Sequence, residues 1–190
     1  TPPQGLIENL DELPMPKRAR DKNLTDYYDF HIFNMRLPYT TMISSRGCAY
    51  QCTYCSSCNI WGNRIRWRTP SNVMDEIAYC AEKLGIRYIG FRDDLFGFNH
   101  DWLNEFCGLL IRNHYDILWS CMVHPFSFRK DRSKTLELLK KAGCDLLIFG
   151  LQSAHPGILK NIRRSHQEPG ELAETVKIAK ALGISTVIEF

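Results

Sequence analysis

No apolar run in this 190-residue sequence approaches the roughly 20 residues that a bilayer-spanning helix requires. A charged-then-apolar leader is also missing from the N-terminus. Charge of one sign is scarce: 24 Lys and Arg against 21 Asp and Glu leave a net charge of +3, with the basic residues scattered through helical stretches. Such scatter gives no footprint for nucleic acid. Cysteine is plentiful at eight, but a disulfide framework is lacking, because Cys48, Cys52 and Cys55 crowd together and the others stand singly in apolar or helical stretches. The expectation is a reduced protein of the cytoplasm. An initiator methionine is missing as well, and the chain ends at Ile188-Glu189-Phe190, inside a β-branched run, so a piece of a longer protein is expected.

What is present fits one globular domain: 44% of residues are hydrophobic and 24% charged, enough to bury a core. Residues 1–38 read as an irregular linker or strap, framed by Pro2, Pro3, Pro14, Pro16 and Pro38 around Tyr27, Tyr28, Phe30 and Phe33. From residue 39 to 190 strand and helix alternate. Strands are expected at 39–44, 87–92, 117–123, 145–151 and 185–190, and helices at about 71–84, 101–112, 132–142 and 170–182. Gly85, Gly143 and Gly183 each follow a helical pattern, where positive φ costs glycine nothing, and Asn113 is expected to serve likewise. Ser71, after Pro70, is the expected N-cap of the first long helix, with Asp75 and Glu76 near its positive end. Alternation with near-continuous apolar strands predicts a parallel α/β sheet buried on both faces, forming an open or partial (β/α) barrel.

In such folds the chemistry gathers just after the strands. Those positions hold Arg46 to Cys58, Asp93 and Asp94, His124, and Gln152 with Ser153. The first of these loops contains Cys48-Ala49-Tyr50-Gln51-Cys52-Thr53-Tyr54-Cys55. Three thiolates on one tight loop can ligate three irons of a cubane and leave the fourth open for a small molecule. Gly47 frees the backbone to wrap a cluster, and Arg46 sets positive charge beside an anionic one. Cys58 offers a fourth donor, so a closed zinc site or an electron-transfer cluster is the alternative.

The CxxxCxxC spacing with Tyr54 before its third cysteine resembles the radical S-adenosylmethionine superfamily. That resemblance implies a six-stranded partial TIM-like barrel, here cut after about its fifth strand. It also implies a 4Fe-4S cluster whose unligated iron binds S-adenosylmethionine and, once reduced, cleaves it to methionine and a 5'-deoxyadenosyl radical. Arg46-Gly47-Cys48, the stretch from Ile89 to Phe96, and Gly150-Leu151-Gln152-Ser153 resemble the cobalamin-dependent branch, as does the linker-like Leu10 to Pro16. In that branch a cobalamin-binding domain, absent from this chain, precedes the barrel.

By position the resemblance places Tyr54, Asp93, Asp94, Gln152, Ser153 and Arg164 at S-adenosylmethionine. Asp93 and Asp94 would face its amino group, though a pair of aspartates also caps loops. Gln152 stands where the family usually has glutamate, and Arg164 where lysine is usual; Arg164 would meet the carboxylate. The implied reaction is radical chemistry on an unactivated carbon of a small organic substrate, by cobalamin-dependent methyl transfer or oxidative ring closure, with flavodoxin or ferredoxin as electron donor. Alternatives are a cobalamin-independent enzyme of the methylthiotransferase or porphyrin-pathway kind, or a non-catalytic zinc or iron–sulfur module. Catalytic side chains proper are not identifiable. His124, His155, Trp61, Trp67 and Trp119 are possible wall residues, and Cys80, Cys107, Cys121 and Cys144 read as core. An unpaired last strand predicts self-association.

Overall fold

The computed structural model describes residues 5–18, 24–26, 36–164 and 168–190. Through them run β1 (Tyr39–Met42), β2 (Ser45–Arg46), α1 (Ser57–Trp61), β3 (Arg66–Trp67), α2 (Pro70–Leu84), β4 (Tyr88–Phe91), α3 (His100–Asn113), β5 (Leu118–Val123), α4 (Arg132–Lys141), β6 (Cys144–Gly150), α5 (Pro156–Asn161), α6 (Pro169–Ala181) and β7 (Ser185–Glu189). Five strands form a parallel sheet in the order β1-β4-β5-β6-β7, and β2 and β3 make a separate antiparallel pair. Each parallel neighbour is reached through a helix, as the alternating pattern requires.

Period-2 alternation divides the sheet's side chains between two faces. Phe91, Trp119, Cys121 and Phe149 point outward into the main core, where Ile77 and Cys80 of α2, Phe106 and Cys107 of α3, Leu136 of α4 and Leu172 of α6 cover them. Tyr39, Tyr88, Leu146 and Ile148 point the other way and form a smaller inner cluster with Met122 and Val187. Both faces are thus apolar, which is why the strands read as continuous hydrophobic runs. Cys80, Cys107, Cys121 and Cys144 are buried core thiols, as expected.

Helix ends obey local chemistry with three corrections. Gly85, Gly143 and Gly183 all take positive φ after their helices. The expected stop at Asn113 falls one residue later, since Asn113 is still helical and His114 adopts the left-handed conformation at φ 53°. Ser71 is not the cap of α2. Thr69 is, its Oγ1 accepting from Asn72 N at 3.2 Å, because Pro70 has no N–H to satisfy and its fixed φ suits the first helical position. Asp75 and Glu76 both lie beyond the first turn, and Glu76 is buried between Arg18 and Arg68.

The N-terminal segment lies along the outer edge of β1. Leu10 is buried, Asp11 accepts from Thr69 N at 2.9 Å, and Arg18 donates to Thr40 Oγ1 at 2.9 Å and to Thr41 O at 3.0 Å. Pro2, Pro3 and the aromatic positions Tyr27, Tyr28, Phe30 and Phe33 lie outside the described residues. Among the described residues no helix is long and apolar enough to cross a membrane.

Candidate active site

The C-terminal ends of four of the five parallel strands, β4 to β7, converge with the loop after β2 on one cavity of about 180 Å³. Cys48, Cys52 and Cys55, with Tyr50 and Tyr54, line it from the loop after β2; Asp94 and Leu95 follow β4; Met122, Val123 and His124 close β5; Gln152 follows β6; and Glu189 ends β7. Arg164, beyond α5, completes the wall.

The loop that carries the thiols is held from several sides. Ser45 and Arg46 pair with Trp67 and Arg66, so a short hairpin stands at the root of the loop. Gly47 turns the chain at φ 99°, and a β-carbon there would collide with the carbonyl of Arg64. Thr53 N donates to Ile162 O at 3.2 Å, which ties the middle of the loop to the end of α5. All eight cysteines are free thiols. Burial pushes the Cys48 thiol above its ordinary value, and repulsion from Cys52 and Cys55 adds to the effect, while a backbone hydrogen bond from Tyr50 opposes it. Iron ligation by three thiolates of one loop would leave a cubane's fourth iron open. The donor set therefore fits a cluster held by Cys48, Cys52 and Cys55.

The aspartates after β4 occupy different positions. Asp93 is 1% exposed and does not line the cavity. Its Oδ1 accepts from Ser44 Oγ at 2.7 Å, from Ser45 Oγ at 2.6 Å and from Ser44 N at 3.1 Å. Burial raises its pKa, partly offset by the hydrogen bonds from Ser45 and Ser44. Asp93 thus serves the loop-capping alternative: it pins the chain leaving β1. Asp94 lines the cavity while its Oδ2 accepts from Gly47 N at 3.2 Å.

The remaining candidates divide similarly. Gln152 lines the cavity from a left-handed backbone position at φ 65°. Ser153 does not line it; its Oγ accepts from His155 N at 3.0 Å. His155 caps α5 through Nδ1, and His124 is a wall residue packed against Tyr50, the two rings tilted by 31° with centres 4.6 Å apart. Trp61, Trp67 and Trp119 stand elsewhere: Trp61 lies beneath Arg46, and Trp119 is buried in the outer core with its indole N–H on Ala142 O at 2.8 Å. Cys58 opens onto a separate groove outside the loop, shared with Cys52 and Cys55, and its thiol sits 3.6 Å from Cys55 O. Among the described residues no three Cys, His, Asp or Glu side chains, Cys48, Cys52 and Cys55 included, are gathered closely enough to hold a single metal ion. A larger cavity, about 450 Å³, lies under the N-terminal segment and holds the Arg18–Glu76–Arg68 ion pairs away from the thiols.

Met122 and Glu189 belong to the cavity wall and escaped sequence reasoning, whereas Tyr50 and Ser57 fall within the expected stretch from Arg46 to Cys58 without having been singled out. Glu189 was legible in principle as the residue ending a strand, but the strand was expected to run through Phe190. Met122 needed the inner-face alternation of β5.

This convergence at the strand ends of a parallel α/β sheet defines a cofactor-dependent enzyme of the partial-barrel kind. Residues 42–190 match the model of the Radical SAM superfamily, and the chain belongs to that superfamily, whose members use a 4Fe-4S cluster and S-adenosylmethionine. An uncharacterized methyltransferase of Pyrococcus horikoshii is 30% identical over 189 residues, which is 100% of this chain and 39% of that protein. The cytidylyl-2-hydroxyethylphosphonate methyltransferase of Streptomyces wedmorensis is 24% identical, over 97% of this chain and 34% of its own length. The chain thus spans well under half of these relatives. Among solved structures, the radical S-adenosylmethionine methyltransferase TsrM of Kitasatospora setae, with tryptophan and a cofactor analogue bound, superposes with a TM-score of 0.72 at 19% identity, covering 79% of this chain and 29% of its own. The cobalamin-dependent enzyme OxsB superposes at 0.64 and 19% identity, covering 78% of this chain and 23% of its own. Both share the fold.

Proposed function

We propose that this chain is the cluster-bearing and S-adenosylmethionine-binding core of a methyl-transferring radical enzyme that works with cobalamin. The observation that carries the reading is the exposure of three free thiols from one loop to a single cavity whose other walls are residues at the ends of β4, β5, β6 and β7. When bound, the cluster supplies the electron that opens S-adenosylmethionine to radical chemistry. The chain's own residues bind and orient. Asp94 presents a carboxylate for the cofactor's ammonium group, and Gln152 and Glu189 add polar groups to the cavity wall. Tyr50, His124 and Met122 provide apolar and aromatic surface that excludes water from a reactive intermediate. Methyl transfer is favoured over ring closure by the methyltransferases among the relatives; the resemblance to the cobalamin-dependent branch supports cobalamin.

The test uses the full-length protein reconstituted anaerobically with iron, sulfide and cobalamin, reduced, and given methyl-labelled S-adenosylmethionine. Bound iron near four per chain and movement of label to an organic acceptor are expected. Cys52→Ala should lose the cluster, whereas Cys58→Ala should retain it. Equal loss of metal in the two variants would indicate a closed four-thiol site and sink the reading.

A further inference from the structure

We infer that Arg164 raises the reduction potential of the cluster through a charge-assisted contact with one of its ligands. This rests on the reading that Cys52 ligates the cluster. Arg164 is 8% exposed, and its Nη1 lies 3.7 Å from Cys52 Sγ, within hydrogen-bonding reach of a sulfur acceptor. The same nitrogen donates to Tyr54 Oη at 3.1 Å, and Nη2 donates to Gly150 O at 2.7 Å. Anchoring on the end of β6 and on the residue beside Cys55 therefore fixes where the guanidinium stands. The backbone contributes too. Arg163 takes a left-handed conformation at φ 58°, and Arg164 N donates to Leu159 O at 2.7 Å, so the end of α5 turns the side chain toward the thiol loop.

Reducing the cluster by one electron adds one negative charge that its surroundings must stabilise. A permanently charged guanidinium, buried where water screens poorly, favours the reduced state, and an N–H donated to a ligand sulfur acts in the same direction. Arg164 is thus a tuning residue, acting through Cys52, which makes the cluster easier for a reductant to charge.

The experiment is a redox titration of the reconstituted full-length protein, followed by the electron paramagnetic resonance of the reduced cluster, without S-adenosylmethionine and normalised to bound iron. Arg164→Gln, which keeps a donor but loses the charge, should shift the midpoint to more negative potential; Arg164→Lys, which keeps the charge, should lie closer to wild type. A fully loaded Arg164→Gln protein with an unchanged or more positive midpoint would overturn the assignment. So would loss of the cluster from Arg164→Gln with normal loading of Arg164→Lys, since the cation would then build the site rather than tune it. A wild-type protein that binds no cluster would refute the underlying reading, a result distinct from a loaded wild type with an unshifted variant.

Discussion

Gly47 shows how much a single residue can decide. It sits immediately before Cys48 at φ 99°, a conformation that L-residues avoid, with the Arg64 carbonyl in the space a β-carbon would need. Gly47→Ala should therefore destabilise the protein by about 2 kcal/mol or more, through backbone strain and displacement of the β2–β3 hairpin. Denaturant unfolding measures this, and bound iron should fall in parallel; unchanged stability would mean that the turn can relax. The need for a glycine was legible from its place beside the thiols, but its steric cause was not, because Arg64 is distant in sequence and approaches only through the hairpin.

Among the elements, the end of β4 organises the loop after β1. Adjacent residues on a chain leaving a strand face in different directions, so Asp93 turns into the interior, where it takes donors from Ser44 and Ser45, and Asp94 turns to the cavity. Removing the Asp93 carboxylate leaves buried donors unpaired, at a cost of about 1–3 kcal/mol for each orphaned group. Asp93→Ala should cost about 3 kcal/mol or more by urea unfolding, and Asp93→Asn less, since one oxygen is retained. Asp94→Ala should change stability by less than about 1 kcal/mol yet weaken S-adenosylmethionine binding by tenfold or more in equilibrium dialysis. If the two alanine variants exchanged these effects, the division of labour would be wrong. A sequence shows two equivalent aspartates; the serine partners appear only once β1 lies beside β4.

At the scale of the whole molecule the two sheet edges differ. The edge of β1 is covered by the segment that includes Arg18, and a covered edge offers no template for another chain. Among the described residues β7 bonds to β6 on one side and is half-buried along its length. The isolated 190-residue chain should self-associate in a concentration-dependent way by multi-angle light scattering, and a monodisperse monomer at high concentration would count against this.

Locally encoded features were settled by the sequence: the five parallel strands and the four long helices between them, though not the short elements β2, β3, α1 and α5, together with the glycine stops, the burial of both sheet faces and the three-thiol loop. Each depends on periodicity, a conformational preference or ligand spacing within a few residues, so neighbours along the chain contain the whole signal. Tertiary structure alone decided which polar residues share the cavity. It separated Asp93 from Asp94, put Ser153 and His155 to use at the start of α5, brought in Tyr50 and Glu189, and set Arg164 against Cys52 across more than a hundred residues of chain. Those outcomes depend on strand register, side-chain direction and the packing of distant segments, which act only when the chain is folded.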